Sequence, residues 1–256
     1  MDASHLKNFL IDMDGVLLFG DVVVPGAPEF LARLMTREAK FLVLTNNSLY
    51  TARDLRARLI RAGLDIPESS IYTSAMATAR FLHSQKPHGS AFVLGESGLT
   101  TALHDIGYTL VDNHPDYVVI GETHSYSFER ITRAVQLVAA GAQFIATNPD
   151  VAGPGTTGMV PATGAVAALI SSATGRRPYF IGKPNPLMMR TALNAIDAHS
   201  EESAMIGDNM DTDIIAGVES GMETILVLSG VTQRSSLSLF PYRPTHVVGS
   251  VADINP

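Results

Sequence analysis

Short apolar runs rich in β-branched residues alternate with amphipathic stretches along almost the whole chain, and this alternation leaves few folds open. The period-two and continuous apolar patterns predict strands over Asn8–Met13, Phe41–Thr45, Ala91–Leu94, Tyr117–Ile120, Gln143–Ala146, Ser203–Ile206 and Glu223–Val227. Between them a 3.6-residue period predicts helices over Ala27–Arg37, Thr51–Ala62, Ser74–Gln85, Phe128–Ala140, Ala162–Ser172, Asn185–Ile196 and Asp211–Glu219. Thr51-Ala52-Arg53-Asp54 reads as a capping box, and Gly63 and Gly141 stand where helices end. Strands apolar on both faces, each followed by a helix, belong in a parallel sheet covered on both sides, so the expected class is α/β with a doubly wound sheet. No internal repeat or low-complexity tract interrupts it. The sequence has 256 residues, enough for one large domain or a domain carrying an insertion.

Composition narrows the function classes. With 25 acidic against 18 basic residues, a net charge of −7 and no basic stripe, the chain is not built to grip a nucleic-acid backbone. It has no cysteine, which excludes disulfides and thiolate chemistry and leaves any metal to oxygen or imidazole ligands. The apolar runs are short, and the opening MDASHLKNFLIDMDG sets aspartates where a secretory leader needs an apolar core, so the expected setting is cytoplasmic, without a membrane partner.

The stretch FLIDMDGVLL sharpens this. A buried strand that carries Asp12 and Asp14 two residues apart, followed by Gly15, aims both carboxylates at one place where the strand runs out. In a parallel sheet that is where ligands gather, and glycine lets the chain turn at once. Such a pair suits phosphoryl transfer, one carboxylate attacking phosphorus and the other moving the proton of the leaving oxygen. Two carboxylates repel a phosphate dianion, so a hard cation with oxygen ligands is required, and Mg²⁺ is the natural one. Three further strand ends carry matching parts. FLVLTNNS offers Thr45, Asn46 and Asn47 as hydrogen-bonding groups for phosphate oxygens; FIGKPNP holds Lys183 in a stiff turn; AMIGDNMDTD supplies Asp208, Asn209, Asp211 and Asp213. Each alone is ordinary turn chemistry or a solvated lysine; their joint occurrence at strand ends is not.

On these residues the sequence resembles the haloacid dehalogenase (HAD) superfamily of phosphatases, whose four motifs match Asp12-Met13-Asp14-Gly15, Thr45-Asn46, Lys183, and Gly207-Asp208-Asn209 with Asp213. VPGAPEFL, LTNN, YTSAMATARFL, FIATNPD, GKPNP, IGDNMDTDI and ETILVLSGV extend the resemblance over nearly the whole chain to the NagD-type subfamily, which includes nucleotide monophosphatases and nitrophenyl phosphatases. The resemblance implies a HAD-like Rossmannoid core over residues 1–83 and 179–256, with an inserted α/β cap of the C2 type over 84–178. It implies that Asp12 is the nucleophile and a Mg²⁺ ligand, that Asp14 is the general acid and base and lends the metal its backbone carbonyl, and that Asp208 completes the metal ligands. Thr45, with Asn46 and Asn47, would hold the phosphoryl group; Lys183 would neutralise it and align Asp12; Asn209 and Asp213 would stand behind them, Asp213 steering Lys183 or water. The implied substrate is a small phosphate monoester, a nucleoside 5′-monophosphate before a sugar phosphate or pyridoxal phosphate. Assembly into a homo-oligomer is left open.

Rival readings fare worse. The segment NPDVAGPGTTGMVP at 148–161 reads as a long loop with a task of its own, and Gly153 to Gly158 formally fit G-x-G-x-x-G. That fingerprint needs a strand before it, a helix after it and an acid about twenty residues on, whereas Pro154 and Pro161 intrude and no acid follows near 173–178. The eight histidines, of which His83 and His88 are the nearest pair, show no zinc spacing. The apolar face of Phe128–Ala140, with Ile131, Ala134, Val135 and Val138, is expected to pack in a core. A dehalogenase would not need Asp14, and a phosphonate hydrolase would need a cap lysine that cannot be picked out. A noncatalytic regulator binding a phosphorylated metabolite remains the alternative from another class, disfavoured by the intact Asp12 and Asp14.

Overall fold

Every residue of the first strand, Asn8–Asp12, is buried, as a strand covered on both faces requires. The computed structural model describes residues 1–155 and 158–256 and divides them into two compact units. The first comprises residues 1–45, 52–72 and 183–256, the second residues 46–51 and 73–182.

In the first unit Asn8–Asp12 lies at the centre of a sheet, between Ser203–Gly207 and Lys40–Thr45, with Glu223–Val227 and His246–Val248 beyond Ser203–Gly207; all these neighbours run parallel. A sixth strand, Ile71–Thr73, lies at the opposite edge, where the chain passes into the second unit. The chain winds outward from Asn8–Asp12 in one direction and returns to build the other half, so the order reverses between Asn8–Asp12 and Ser203–Gly207. A doubly wound sheet opens a crevice at that switch point, beyond the carboxyl ends of the strands. Phe9, Ile11, Val43, Ile206 and Ile225 form one core with Phe30, Leu31 and Leu34 of helix Ala27–Thr36 and Leu55 and Leu59 of helix Ala52–Arg61. Each such side chain contributes about 1.5–3 kcal/mol by leaving water. Gly63, at φ 90°, ends helix Ala52–Arg61 as the sequence predicts, with the Leu64 N–H returning to the Leu59 carbonyl.

The second unit holds a five-stranded parallel sheet in the order Tyr179–Phe180, Gln143–Ala146, Tyr117–Ile120, Ser90–Leu94, Thr109–Leu110. Helices Ser74–Gln85, Ser97–Asp105, Phe128–Ala139 and Thr163–Thr174 belong to it. Ile131, Ala134 and Val138 sit in its core as expected, beside Phe92, Val118, Phe144 and Ile170, with Val135 packed at the margin.

Two expectations need correction. The segment 148–161 is not all loop: Ala152–Gly155 and Gly158–Pro161 pair as an antiparallel ribbon, in the register Ala152 to Pro161 and Gly155 to Gly158. Thr156 and Thr157, within the formal glycine fingerprint, lie outside the described residues. The inserted unit also begins before residue 84, because helix Ser74–Gln85 packs on helix Ser97–Asp105 and its Leu82 carbonyl lies 3.0 Å from the Tyr108 hydroxyl. No helix among the described residues is long and apolar enough to cross a membrane.

Ile206, fully buried in the strand next to Asn8–Asp12, tests the core that carries the site. Ile206→Ala is expected to lower the unfolding free energy by about 2–5 kcal/mol in urea melts with an unchanged denaturant slope; a loss below about 1 kcal/mol would contradict the packing described.

Candidate active site

Asp12 is the last residue of the central strand, and Asp208 follows directly on the strand beside it. Both carboxylates therefore reach the switch-point crevice. Lys183 joins them there: its ammonium donates to Asp12 Oδ1 at 2.6 Å and to Asp213 Oδ1 at 2.7 Å, with all three side chains buried. The second bond depends on a local irregularity. The expected helix over Asp211–Glu219 opens with a π-helical turn, Met210–Ile214, in which the Ile214 N–H reaches the Asn209 carbonyl, and only then becomes α-helical over Ile215–Glu219. Such turns insert a residue and re-aim side chains. Here Asp213 points back to the strand end, its Oδ2 accepting from the Asn209 N–H at 3.1 Å. A Cβ on Gly207 would stand 2.1 Å from the Asp213 Cβ, so a glycine is required for this approach.

Asp208 is fitted as tightly. Its Oδ2 accepts from the Val231 N–H at 2.6 Å, while Cβ atoms built on Gly15 and Gly230 would come within 2.3 and 1.8 Å of that oxygen. Gly15 also adopts φ 85°, a conformation few side chains tolerate, and its N–H donates to the Leu18 carbonyl at 2.6 Å. Two backbone segments thus close on one carboxylate.

The electrostatics follow from burial. Loss of water pushes the Asp208 carboxyl up to about 6, with the Asp213 charge adding to the shift and the Val231 N–H and Lys183 opposing it. Burial likewise raises Asp12 well above the ordinary carboxylate range; Lys183 opposes that shift, and Asp213 and Asp208 reinforce it. For Lys183 burial disfavours the ammonium, yet the Asp12 and Asp213 carboxylates outweigh it and hold the group charged. Three carboxylates against one ammonium leave two negative charges uncompensated when all are ionised. Among the described residues, Asp12, Asp208 and Asp213 are the group of acids able to hold a metal, with ligand oxygens within 4.8 Å of one another. An all-oxygen, doubly negative cluster of this kind fits a hard divalent cation. Since Asp213 has one oxygen on Lys183 and the other on a backbone N–H, the oxygens of Asp12 and Asp208 are the better placed donors.

The remaining expected residues are distributed as follows. Asp14 is half exposed and meets Arg58, whose Nη2 donates to its Oδ1 at 3.1 Å. Thr45 is buried at the end of Lys40–Thr45, the strand next to Asp12. Asn209 serves its own turn, its Oδ1 accepting from the Asp211 N–H at 2.9 Å. Asn46 and Asn47 belong to the second unit and bond within it. The Asn46 amide donates to Asp150 Oδ2 at 3.0 Å, and Asn47 Oδ1 accepts from the N–H groups of Leu49 and Tyr50. Sequence reasoning missed Arg58, which reads as a solvated helix residue in RARL, and the pair Gly230 and Val231, for which the dipeptide Ser229-Gly230 signals only a turn.

The lysine is the test of this balance. In metal-free protein, folded Asp208 holds its proton to about pH 6 instead of its ordinary 3.8. The native state therefore binds the extra proton between those values, and this contribution to stability falls as pH rises through them. Lys183→Ala removes the only cation bonded to the cluster among the described residues and is expected to cost about 3–5 kcal/mol. The cost in chelator should be larger at pH 8, where Asp208 is ionised, than at pH 5, where it holds its proton. Urea melts at both pH values check this, and equal losses would contradict it.

Comparison with known proteins agrees with this geometry. Residues 9–109 match the family model of haloacid dehalogenase-like hydrolases, and residues 180–254 a second model of HAD-hydrolase-like proteins. The chain is 57% identical to the dihydroxyacetone phosphatase of Corynebacterium glutamicum, over 96% of this chain and 90% of that one. It is 47% identical to the ribonucleotide monophosphatase NagD of Escherichia coli, over 98% of each. The solved structure of E. coli NagD superposes with a TM-score of 0.93, covering 97% of this chain and 98% of that chain. The p-nitrophenyl phosphatase from Archaeoglobus fulgidus, 35% identical, gives 0.91 over 97% of each. With matched family models on both sides of the inserted unit and near full-length relatives in agreement, the chain belongs to the haloacid dehalogenase-like hydrolases, as a phosphatase of the NagD type.

Proposed function

We propose that the protein is a Mg²⁺-dependent phosphomonoesterase acting on small organophosphates through a phosphorylated Asp12. The observation that carries this is the buried Asp12 carboxylate at the switch point, held by Lys183 at 2.6 Å beside Asp208. In the first step an Asp12 oxygen attacks phosphorus, the bond from phosphorus to the ester oxygen breaks, and Asp14 gives its proton to the departing alkoxide. In the second, Asp14 takes a proton from the water that attacks the same phosphorus, phosphate leaves, and the Asp12 carboxylate is restored. Lys183 fixes the attacking carboxylate and offsets charge on the phosphoryl oxygens, and the Thr45 hydroxyl, with Asn46 and Asn47, hydrogen-bonds those oxygens. Asp12, Asp208 and the Asp14 carbonyl would hold Mg²⁺, which when bound supplies positive charge where the phosphate dianion and the carboxylates would otherwise repel one another. Asp213 holds Lys183, and Asn209 holds Asp213 through its N–H. The second compact unit is the inserted cap that the motifs imply.

Two substrate classes stand in front. The motifs favour nucleoside 5′-monophosphates, as for the NagD relative; the 57% identity to a dihydroxyacetone phosphatase favours a triose phosphate. Phosphate release from nucleoside monophosphates, dihydroxyacetone phosphate, hexose phosphates and pyridoxal phosphate, with Mg²⁺ and with chelator, separates them. Turnover is expected to need Mg²⁺, and Asp12→Asn, folded by circular dichroism, should lose on the order of a thousandfold or more in kcat. Undiminished turnover in chelator, or by the folded variant, would refute the proposal; ligand binding with no turnover at all would revive the regulator.

A further inference from the structure

We propose that Arg58 is a positioning residue that acts through Asp14, an inference that rests on the reading of Asp14 as the proton donor. The chain that leaves the central strand turns at Gly15 and forms a hairpin of only two residues on each side, Leu18–Phe19 against Val22–Val23. So short a hairpin is not stable on its own in water. It is tied to the catalytic segment at its base, by the bridge between Asp14 and Leu18, the Gly15 N–H bond to the Leu18 carbonyl, the Leu17 and Leu18 N–H bonds to the Met13 carbonyl, and the buried Leu18 side chain. Its tip is not self-supporting, because Phe19 and Val22 are each 69% exposed.

Arg58, reaching across from helix Ala52–Arg61, closes this segment into a ring. Its Nη2 donates to the Gly20 carbonyl at 2.5 Å and to Asp14 Oδ1 at 3.1 Å, and its Nε to Asp21 Oδ1 at 3.2 Å. One planar fork thus binds the first residue after the central peptide of the motif and the hairpin tip together, which a flexible lysine could do only as a point charge. The ordinary alternative is a surface ion pair worth little. Against it stand the Arg58 side chain's 23% exposure, while Asp21 is 93% exposed, and the choice of acceptors: besides Asp21, the fork takes a backbone carbonyl and the side chain that must face the leaving oxygen. With one oxygen pinned by Arg58, Asp14 presents the other in a restricted direction, and orientation of a proton donor is worth rate only if it is held.

A positioning role through Asp14 differs from a structural one in its dependence on the leaving group. An alkoxide must receive a proton as it departs, whereas 4-nitrophenolate leaves as a stable anion. The comparison is kcat/KM, which reports steps up to loss of the leaving group, for 4-nitrophenyl phosphate against dihydroxyacetone phosphate, or a nucleoside 5′-monophosphate if that is the better alkyl substrate. Asp14→Asn sets the scale, with an alkyl-specific loss of about 100-fold or more expected. Arg58→Gln is expected to lose at least about tenfold more on the alkyl ester than on the aryl ester, and Arg58→Lys, which keeps charge without the fork and guards against misfolding of the first variant, to fall between native and Gln. Equal losses on both esters, or none, in the Arg58 variants while Asp14→Asn shows the alkyl-specific loss would overturn the role of Arg58 alone. Absence of that loss in Asp14→Asn would instead overturn the proton-donor reading, and the inference with it.

Discussion

The ammonium of Lys183, bonded to both Asp12 and Asp213, is the interaction around which the rest of the site is arranged. Taking a lysine and three carboxylates out of water costs several kcal/mol per ion unless the partners are close and their remaining atoms are satisfied. The chain meets that condition with backbone more than with side chains. Glycines at 15, 207 and 230 let main chain approach the acids more closely than any side chain would allow, and the N–H groups of Asn209 and Val231 each take one oxygen that Lys183 does not, on Asp213 and Asp208 respectively. What is left over is negative charge facing the crevice, which is the condition a divalent cation and a phosphoryl group would meet together.

Topology explains why these residues, distant in sequence, share one place. Asp12 and Asp208 end adjacent parallel strands on either side of the reversal in strand order, so they face the same crevice without any loop having to carry them there. The passages of the chain between the two units are informative as well. Thr45 is the last residue of the first unit before Asn46, and Lys183 is the first residue after Gly182. Two of the four passages of the chain between the units thus fall beside residues that the phosphoryl chemistry would use. Anchoring on the second unit's side is dense: the Asn46 carbonyl accepts from Ser74 Oγ and Asn148 Nδ2, and Ser48 exchanges hydrogen bonds with Glu122.

Most of this could be read from the chain because it rests on burial. The seven expected strands all form, since a run such as Phe41–Thr45 is apolar whichever face is considered and has no other stable home in a sheet covered on both sides. The acids were legible for the opposite reason, as charges set at the ends of such runs. Helix Ser97–Asp105 was not, because SGLTTALHD offers only Leu99, Ala102 and Leu103 as apolar anchors and no capping side chain. Two-residue strands such as Thr109–Leu110 and Tyr179–Phe180 owe their existence to a neighbour's edge and carry no period. The ribbon at 152–161 is exposed along its described second strand, so no apolar alternation marked it. Arg58 was hidden by its helix, where an arginine among arginines signals solvent until the hairpin it holds is seen.

The central claim, that Asp12 carries the phosphoryl group between substrate and water, is tested most directly by trapping it. Protein quenched in acid during turnover of its best substrate and digested for mass spectrometry is expected to show a phosphoryl group on the peptide containing Asp12, absent from a chelator control. Substrate consumed at full rate with that peptide unmodified at every quench time, and phosphate found on another residue or on none, would contradict the account.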